Sequence, residues 1–388
     1  MTFVRAIGFV IPAAAVAAAY FISPQPDLWY AYVIVLAAAE VAVYYLFEAM
    51  NRDIEFLSGY YTEVRHYYPW VELVTVTRTV SDGRGHTRTV TEQHHVPHPD
   101  SWSALLNTGR EIGLSQRAFL SAARLWQTGT NYFPTHHPGQ ISGGGGESSA
   151  WNGRQDTMQT ATYKSRYKNY IQNTNSIFNP ARVTRDEAKS EGLIPYPEII
   201  DNTQNPLCVS PLLDFTFSAD DQLRMRRLNA SLGNQYQVHF FVLLFPAEKG
   251  VNISMRQRQY WEGGNKNEFT ICLGMEKEKE GDGEQDGNTW KVRWCKPFSW
   301  MDAPTLEVAT LDWYISNPGL DIPALAQFLS ENISLWERKQ FSEFKYLGRH
   351  LSSWKSVLYL FITLCISALC VFILWKLFGF QIIPPSQI

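Results

Sequence analysis

The sequence predicts an α+β (mixed α/β) soluble region with transmembrane helices at both ends. Three observations carry that reading. Long apolar stretches occupy both ends of the 388-residue chain. Between them, β-branched runs alternate around Gly-rich turns. Amphipathic runs with capping residues follow. A hydrophobic share of 45% with 14% aromatics can bury a core, which excludes general disorder. With 34 Lys+Arg against 37 Asp+Glu there is no positive excess, so no nucleic-acid partner is expected. Cys208, Cys272, Cys295, Cys365 and Cys370 fit neither a C-x-x-C ligand pair nor a disulfide framework.

A bilayer span needs about 20 mostly apolar residues. The stretches 4–22, 28–50 and 357–375 meet that length. The first carries Arg5 and ends on Ala17, Ala18 and Ala19, so it also suits a signal peptide. The loop 23–27 has no positive charge, whereas Arg5, Arg52, Lys345, Arg349 and Lys355 flank the other side. The positive-inside rule then places 51–355 in the cytosol of a multi-pass membrane protein. Glu40 falls near mid-bilayer, as a neutral hydrogen-bonded group or as a group lining a polar path. Ser356, Thr363, Ser367 and Cys370 share one helix face, suited to helix association. The expected organisation is a transmembrane hairpin over 1–50 and a β-hairpin-containing α+β domain over 51–200. An α/β domain over 201–350 and a C-terminal helix and tail over 351–388 complete it.

Residues 71–80 and 87–92 alternate around Ser81-Asp82-Gly83-Arg84-Gly85 and predict a β-hairpin with exposed Thr and Arg faces. His94, His95 and His98 follow. They are metal candidates, but zinc takes about four ligands and this extended stretch offers two or three. Leu105, Leu106, Ile112, Leu114, Phe119 and Leu120 recur near helical spacing over 102–126, with Ser115 a second helix start. Gly143–Gly146 reads as a flexible loop, since no Gly-Lys-Ser/Thr follows to make a phosphate cradle. The basic and aromatic alternation over 163–170 reads as an exposed face. The segment 195–206, rich in Pro, Asn and Asp, marks the domain boundary.

In the second half, Ser218 is the expected N-cap of a helix that ends with Gly233 at its C′ position. A buried strand over 238–245, a short helix over 255–260 and strands over 269–274 and 289–295 come next. Asp214 and Glu268 are the candidate acid–base groups, although capping and turn roles are commoner for such carboxylates. The sequence holds no Gly-x-Ser-x-Gly, His-Glu-x-x-His or Rossmann fingerprint, and it implies no cofactor. Asn229, Asn252 and Asn332 head N-x-S sequons, which matter only if the cytosolic placement fails.

Four passages carry a resemblance: 60–102; 163–199, with Tyr167-Lys168-Asn169-Tyr170; 259–300, with Tyr260-Trp261-Glu262-Gly263-Gly264-Asn265-Lys266-Asn267-Glu268; and 338–347. Together they resemble an uncharacterised family of bacterial and tailed-phage proteins, which implies no activity and no site residues. In element order, 213–274 is similar to TPM-type membrane-tethered domains. The expected function is a non-enzymatic, membrane-anchored assembly or interaction protein, touching the lipid bilayer and copies of itself or another protein. The alternatives are a membrane-bound hydrolase or metal-dependent enzyme, and an oligomeric conduit using Glu40.

Overall fold

The computed structural model describes residues 52–81, 87–168, 183–197, 205–261, 266–277, 290–299, 303–338 and 353–378, with isolated positions before 50. The chain divides into two compact units. One comprises Met1–Glu55, Ser165–Arg182 and Lys339–Ile388; the other comprises Phe56–Lys164 and Val183–Arg338.

Three sheets build the described strands. The largest uses β1 (Arg52–Tyr67), β4 (Ser101–Leu106), β5 (Glu111–Leu114), β6 (Asn131–Phe133), β8 (Gly146–Ala150) and β9 (Thr160–Lys168). Its order is β5-β4-β1-β8-β6, with β9 also on β1. The helix α1 (Gln116–Trp126) covers it. Phe119, Ala122 and Trp126 of α1 meet Leu57, Tyr61 and Val64 of β1 and Leu106 of β4 in one buried cluster. Ser115 caps α1 by accepting the Ala118 N–H, as its position predicts. The rest of the expected 102–126 helix is instead β4 and β5. Gly109, at φ 77°, makes the turn that a helix could not.

A second sheet has the order β10-β11-β12-β13, from Cys208–Val209, His239–Pro246, Glu268–Lys277 and Trp290–Ser299. β11 runs parallel to β10 and β12, and β13 closes the sheet antiparallel. Every β11 side chain before Pro246 is buried, which explains an unbroken apolar run rather than an alternating one. Besides the short α2 (Arg185–Glu191), the helices here are α3 (Ala219–Gly233), α4 (Asn252–Tyr260), α5 (Pro304–Ser316) and α6 (Ile322–Glu331). α3 packs on β11 and α6, while α4 and α5 pack on β13. Ser218 and Asp221 form a reciprocal capping box at the start of α3.

Gly233 is not the expected C′ residue but the last residue of α3, with Asn234 as its αR C-cap. Its role is close approach: a Cβ there would run into the Ser58 backbone carbonyl of β1. Two carboxamides hold the same crossing. Asn107 accepts the Tyr60 N–H at 3.0 Å and donates to the Ala230 carbonyl at 3.2 Å. Asn234 donates to the Asn107 carbonyl at 2.9 Å.

The expected transmembrane helices at both ends are not supported, and neither is a multi-pass membrane protein. Among the described residues no helix is long and apolar enough to cross a membrane. The last helix is α7 (Ser353–Phe378). Along α7, Tyr359, Thr363 and Ser367 are buried on one face, and the two hydroxyls donate back to the carbonyls four residues earlier. Glu40 lies outside the described residues.

Gly233→Ala tests the crossing. Alanine favours the helix by about 1 kcal/mol over glycine, whereas a methyl forced against backbone costs about 1–3 kcal/mol. The expected net effect is a loss of up to about 2 kcal/mol in the urea unfolding free energy. A gain in stability would show that the backbones do not approach as described.

Candidate functional site

Two places gather polar chemistry, one sealed and one open. The sealed place lies where β1 and β9 meet the start of β11. Ser58 Oγ lies 3.0 Å from Thr162 Oγ1 and 3.4 Å from His239 Nδ1. His239 is fully buried, its Nε2 has no partner among the described residues, and its ring stands edge-on to Phe241. Burial pulls its pKa down from 6.5 to about 3, so the ring is neutral. Beside it, the His239 N–H donates to the Asn267 carbonyl at 2.7 Å, and Asn267 Nδ2 donates to the Phe56 carbonyl at 2.5 Å. A serine hydroxyl beside a histidine is a nucleophile–base pair only where a substrate can reach it. Here Ser58, Thr162, His239 and Asn267 are all buried, so the group joins two sheets instead.

Glu268 stands opposite His239 in the β11–β12 register and is almost fully buried. Its carboxylate accepts from the Tyr196 hydroxyl, and its carbonyl accepts from Ser299 Oγ at 3.0 Å. Asp214 is exposed in a turn, and the structure does not bring it to Glu268. An apolar groove of about 420 Å³ between β13 and α5 is lined by Val251, Trp294, Cys295, Tyr314 and Ile315. Burial pushes the Cys295 thiol and the Tyr314 hydroxyl upward in pKa, so neither supplies a ready nucleophile.

The open place is the third sheet, β3-β2-β7, formed by β2 (Trp70–Ser81), β3 (Thr87–His98) and β7 (Gln140–Gly143). Gly143–Gly146 is the bend through which the chain passes from this sheet to β8. A Cβ at Gly143 would meet the Pro69 carbonyl, and Gly144 donates to that carbonyl at 3.1 Å. At the base, the Trp70 ring stacks on His98 at 4.0 Å and on His137 at 4.3 Å, both nearly parallel. Two rings that close to one centroid must lie on opposite faces, so Trp70 is held between two imidazoles. His98 Nε2 is 2.9 Å from Glu72 Oε2, which fixes the sandwich. Below it, His66 places Nε2 2.7 Å from Asp100 Oδ1 and Nδ1 3.2 Å from Glu147 Oε1, tying β1 to β8 and to the residue that precedes β4.

β2 and β3 pair along their whole length, from Trp70↔His98 to Ser81↔Thr87. The pleat then separates two faces. One carries Val74, Val76, Arg78 and Val80 with Arg88, Val90, Glu92 and Val96, and Arg78 Nη2 reaches Glu92 Oε1 at 2.6 Å. The other is a threonine row, with Thr77 opposite Thr91 and Thr79 opposite Thr89. β7 reaches only Trp70, Val71 and Glu72. The outer part of the ribbon is exposed on both faces; Val76 is 44% exposed and Val80 36%.

The candidate metal ligands fall on this ribbon without converging. His94 and His98 share the valine face and His95 lies on the threonine face. His98 is held by Trp70 and Glu72, and His94 is exposed, 3.7 Å from Glu92. Among the described residues no three His, Cys, Asp or Glu form a metal-holding group. The sequence singles out neither His66 nor Ser58 and His239; His239 shows only as a polar residue opening an apolar strand. Comparison with protein-family models, curated proteins and solved structures finds no match.

The His239 assignment has a pH consequence. Unfolded, this histidine takes a proton below about pH 6.5; folded, it stays neutral down to about pH 3. Its contribution is therefore present above pH 6.5 and lost as pH falls, by about 1.4 kcal/mol per pH unit. Comparing unfolding free energies from pH 6.5 to 4.5, His239→Gln should show a slope shallower than the wild type by that amount. Equal slopes would place His239 in contact with water.

Proposed function

We propose that this chain is a non-enzymatic interaction protein whose contact element is the β2–β3 ribbon. The observation that carries the reading is the ribbon's exposure on both faces beyond the reach of β7. A two-stranded ribbon is marginal in water unless a third strand or a packed face supports it. Strand edges and apolar stripes left open in this way are what β-addition and sheet stacking use. The sandwiched Trp70 anchors the ribbon's base. The polar group between the first and second sheets supports the same reading, because the Ser58–His239 pair is buried and serves as a joint.

Site-specific photo-crosslinking tests this. A benzophenone side chain placed at Val76, or separately at Thr91, should give adducts of discrete mass in cells expressing the full chain. The same group at Leu213, fully exposed in a remote turn, should give none. Absence of adducts from both ribbon positions would overturn the reading.

A further inference from the structure

The ribbon's free edge has a sequence that matches itself. β3 is an outer strand, since the order β3-β2-β7 leaves one side without a neighbour among the described residues. Such an edge is a template for another strand unless charge or proline blocks it. Pro97 guards only the base. Further out, Arg88, Val90 and Glu92 stand on one face and Thr89 and Thr91 on the other.

That spacing selects the occupant. Let a second β3 run antiparallel to the first about a two-fold axis at Val90. Arg88 of each copy then faces Glu92 of the other, Val90 faces Val90, and Thr89 faces Thr91. Moving the axis by one residue sets Arg88 or Glu92 against valine. Moving it by two sets Arg88 against Arg88 or Glu92 against Glu92, which is repulsive. The overlap in the matched register runs from Thr87 to Gln93, clear of Pro97, which has no N–H to give. The threonine row would also continue across the joint, from Thr79 and Thr89 to Thr91 and Thr77 of the second copy.

We infer that the partner of the β3 edge is a second copy of this chain, paired antiparallel about Val90 into a continuous β7-β2-β3-β3-β2-β7 sheet. This rests on the ribbon being the contact element. An isologous joint of this kind closes with two copies, so it makes a dimer and not a filament.

Charge exchange tests it, with the mass of the full chain read by light scattering. Arg88→Glu and Glu92→Arg each set like charges opposite one another twice per joint, so each variant alone should show half the wild-type mass. Mixed in equal amounts, the two variants place opposite charges across the joint, and the wild-type mass should return. Unchanged mass in the single variants, or a mixture that stays at half mass, would overturn the inference. So would a wild-type chain that is monomeric. If that chain still gave ribbon adducts with a different protein, the contact reading would stand and only the identity of the partner would fall. Adducts of twice the chain's mass from Thr91 support the second copy.

Discussion

Buried carboxamides hold this fold together at the points where helices and loops meet strands. Asn229, fully buried on α3, accepts the Phe240 N–H at 2.8 Å and donates to the Phe240 carbonyl at 3.1 Å. Gln257 of α4 does the same for Ile194, at 2.9 and 2.8 Å. Half-buried Gln222 accepts from Leu207 and Cys208 and donates to the Cys208 carbonyl. An amide side chain carries one acceptor and one donor group, so it can satisfy both the N–H and the C=O of a residue that leaves regular pairing. A buried peptide group without such a partner costs about 1–3 kcal/mol. The sheet edges and connections that these clamps serve could not otherwise be buried.

The clamps also set what is free to act. Asn107, Asn234 and the Ser58–His239–Asn267 group join the first and second sheets around Gly233, so this part of the unit is dense and closed. The β2–β3 ribbon receives no such support beyond its base. Its stability comes from cross-strand pairs, worth about 0.2–1 kcal/mol each, and from the imidazole–indole stack at Trp70. The contrast is what supports the proposed contact role of the ribbon: the sealed polar groups hold structure, and the open ribbon has unspent pairing capacity.

Much of this was legible in the sequence. The apolar run at 238–245 is β11, the alternation at 71–92 is the ribbon, and Ser115 and Ser218 cap α1 and α3. The reading of 102–126 as one helix failed because Leu106, Ile112 and Leu114 suit both periods; the turn at Gly109 decides for strands. The sequon reading of Asn229 could not foresee a clamp, since the residue it grips is eleven positions away in sequence and on another element. The apolar ends read as spans by composition alone, a reading the described residues do not support. The seam was hidden for a simpler reason: Ser58, Thr162, His239 and Asn267 are single polar residues in four distant segments, and no local pattern links them.

Asn229→Leu is the most direct measurement of the clamp account, because leucine keeps the branched heavy-atom skeleton and removes both hydrogen bonds. The Phe240 N–H and carbonyl would then lie buried and unpaired, and the urea unfolding free energy should fall by at least about 2 kcal/mol. An unchanged or raised unfolding midpoint would contradict the claim that buried carboxamides hold these elements in place.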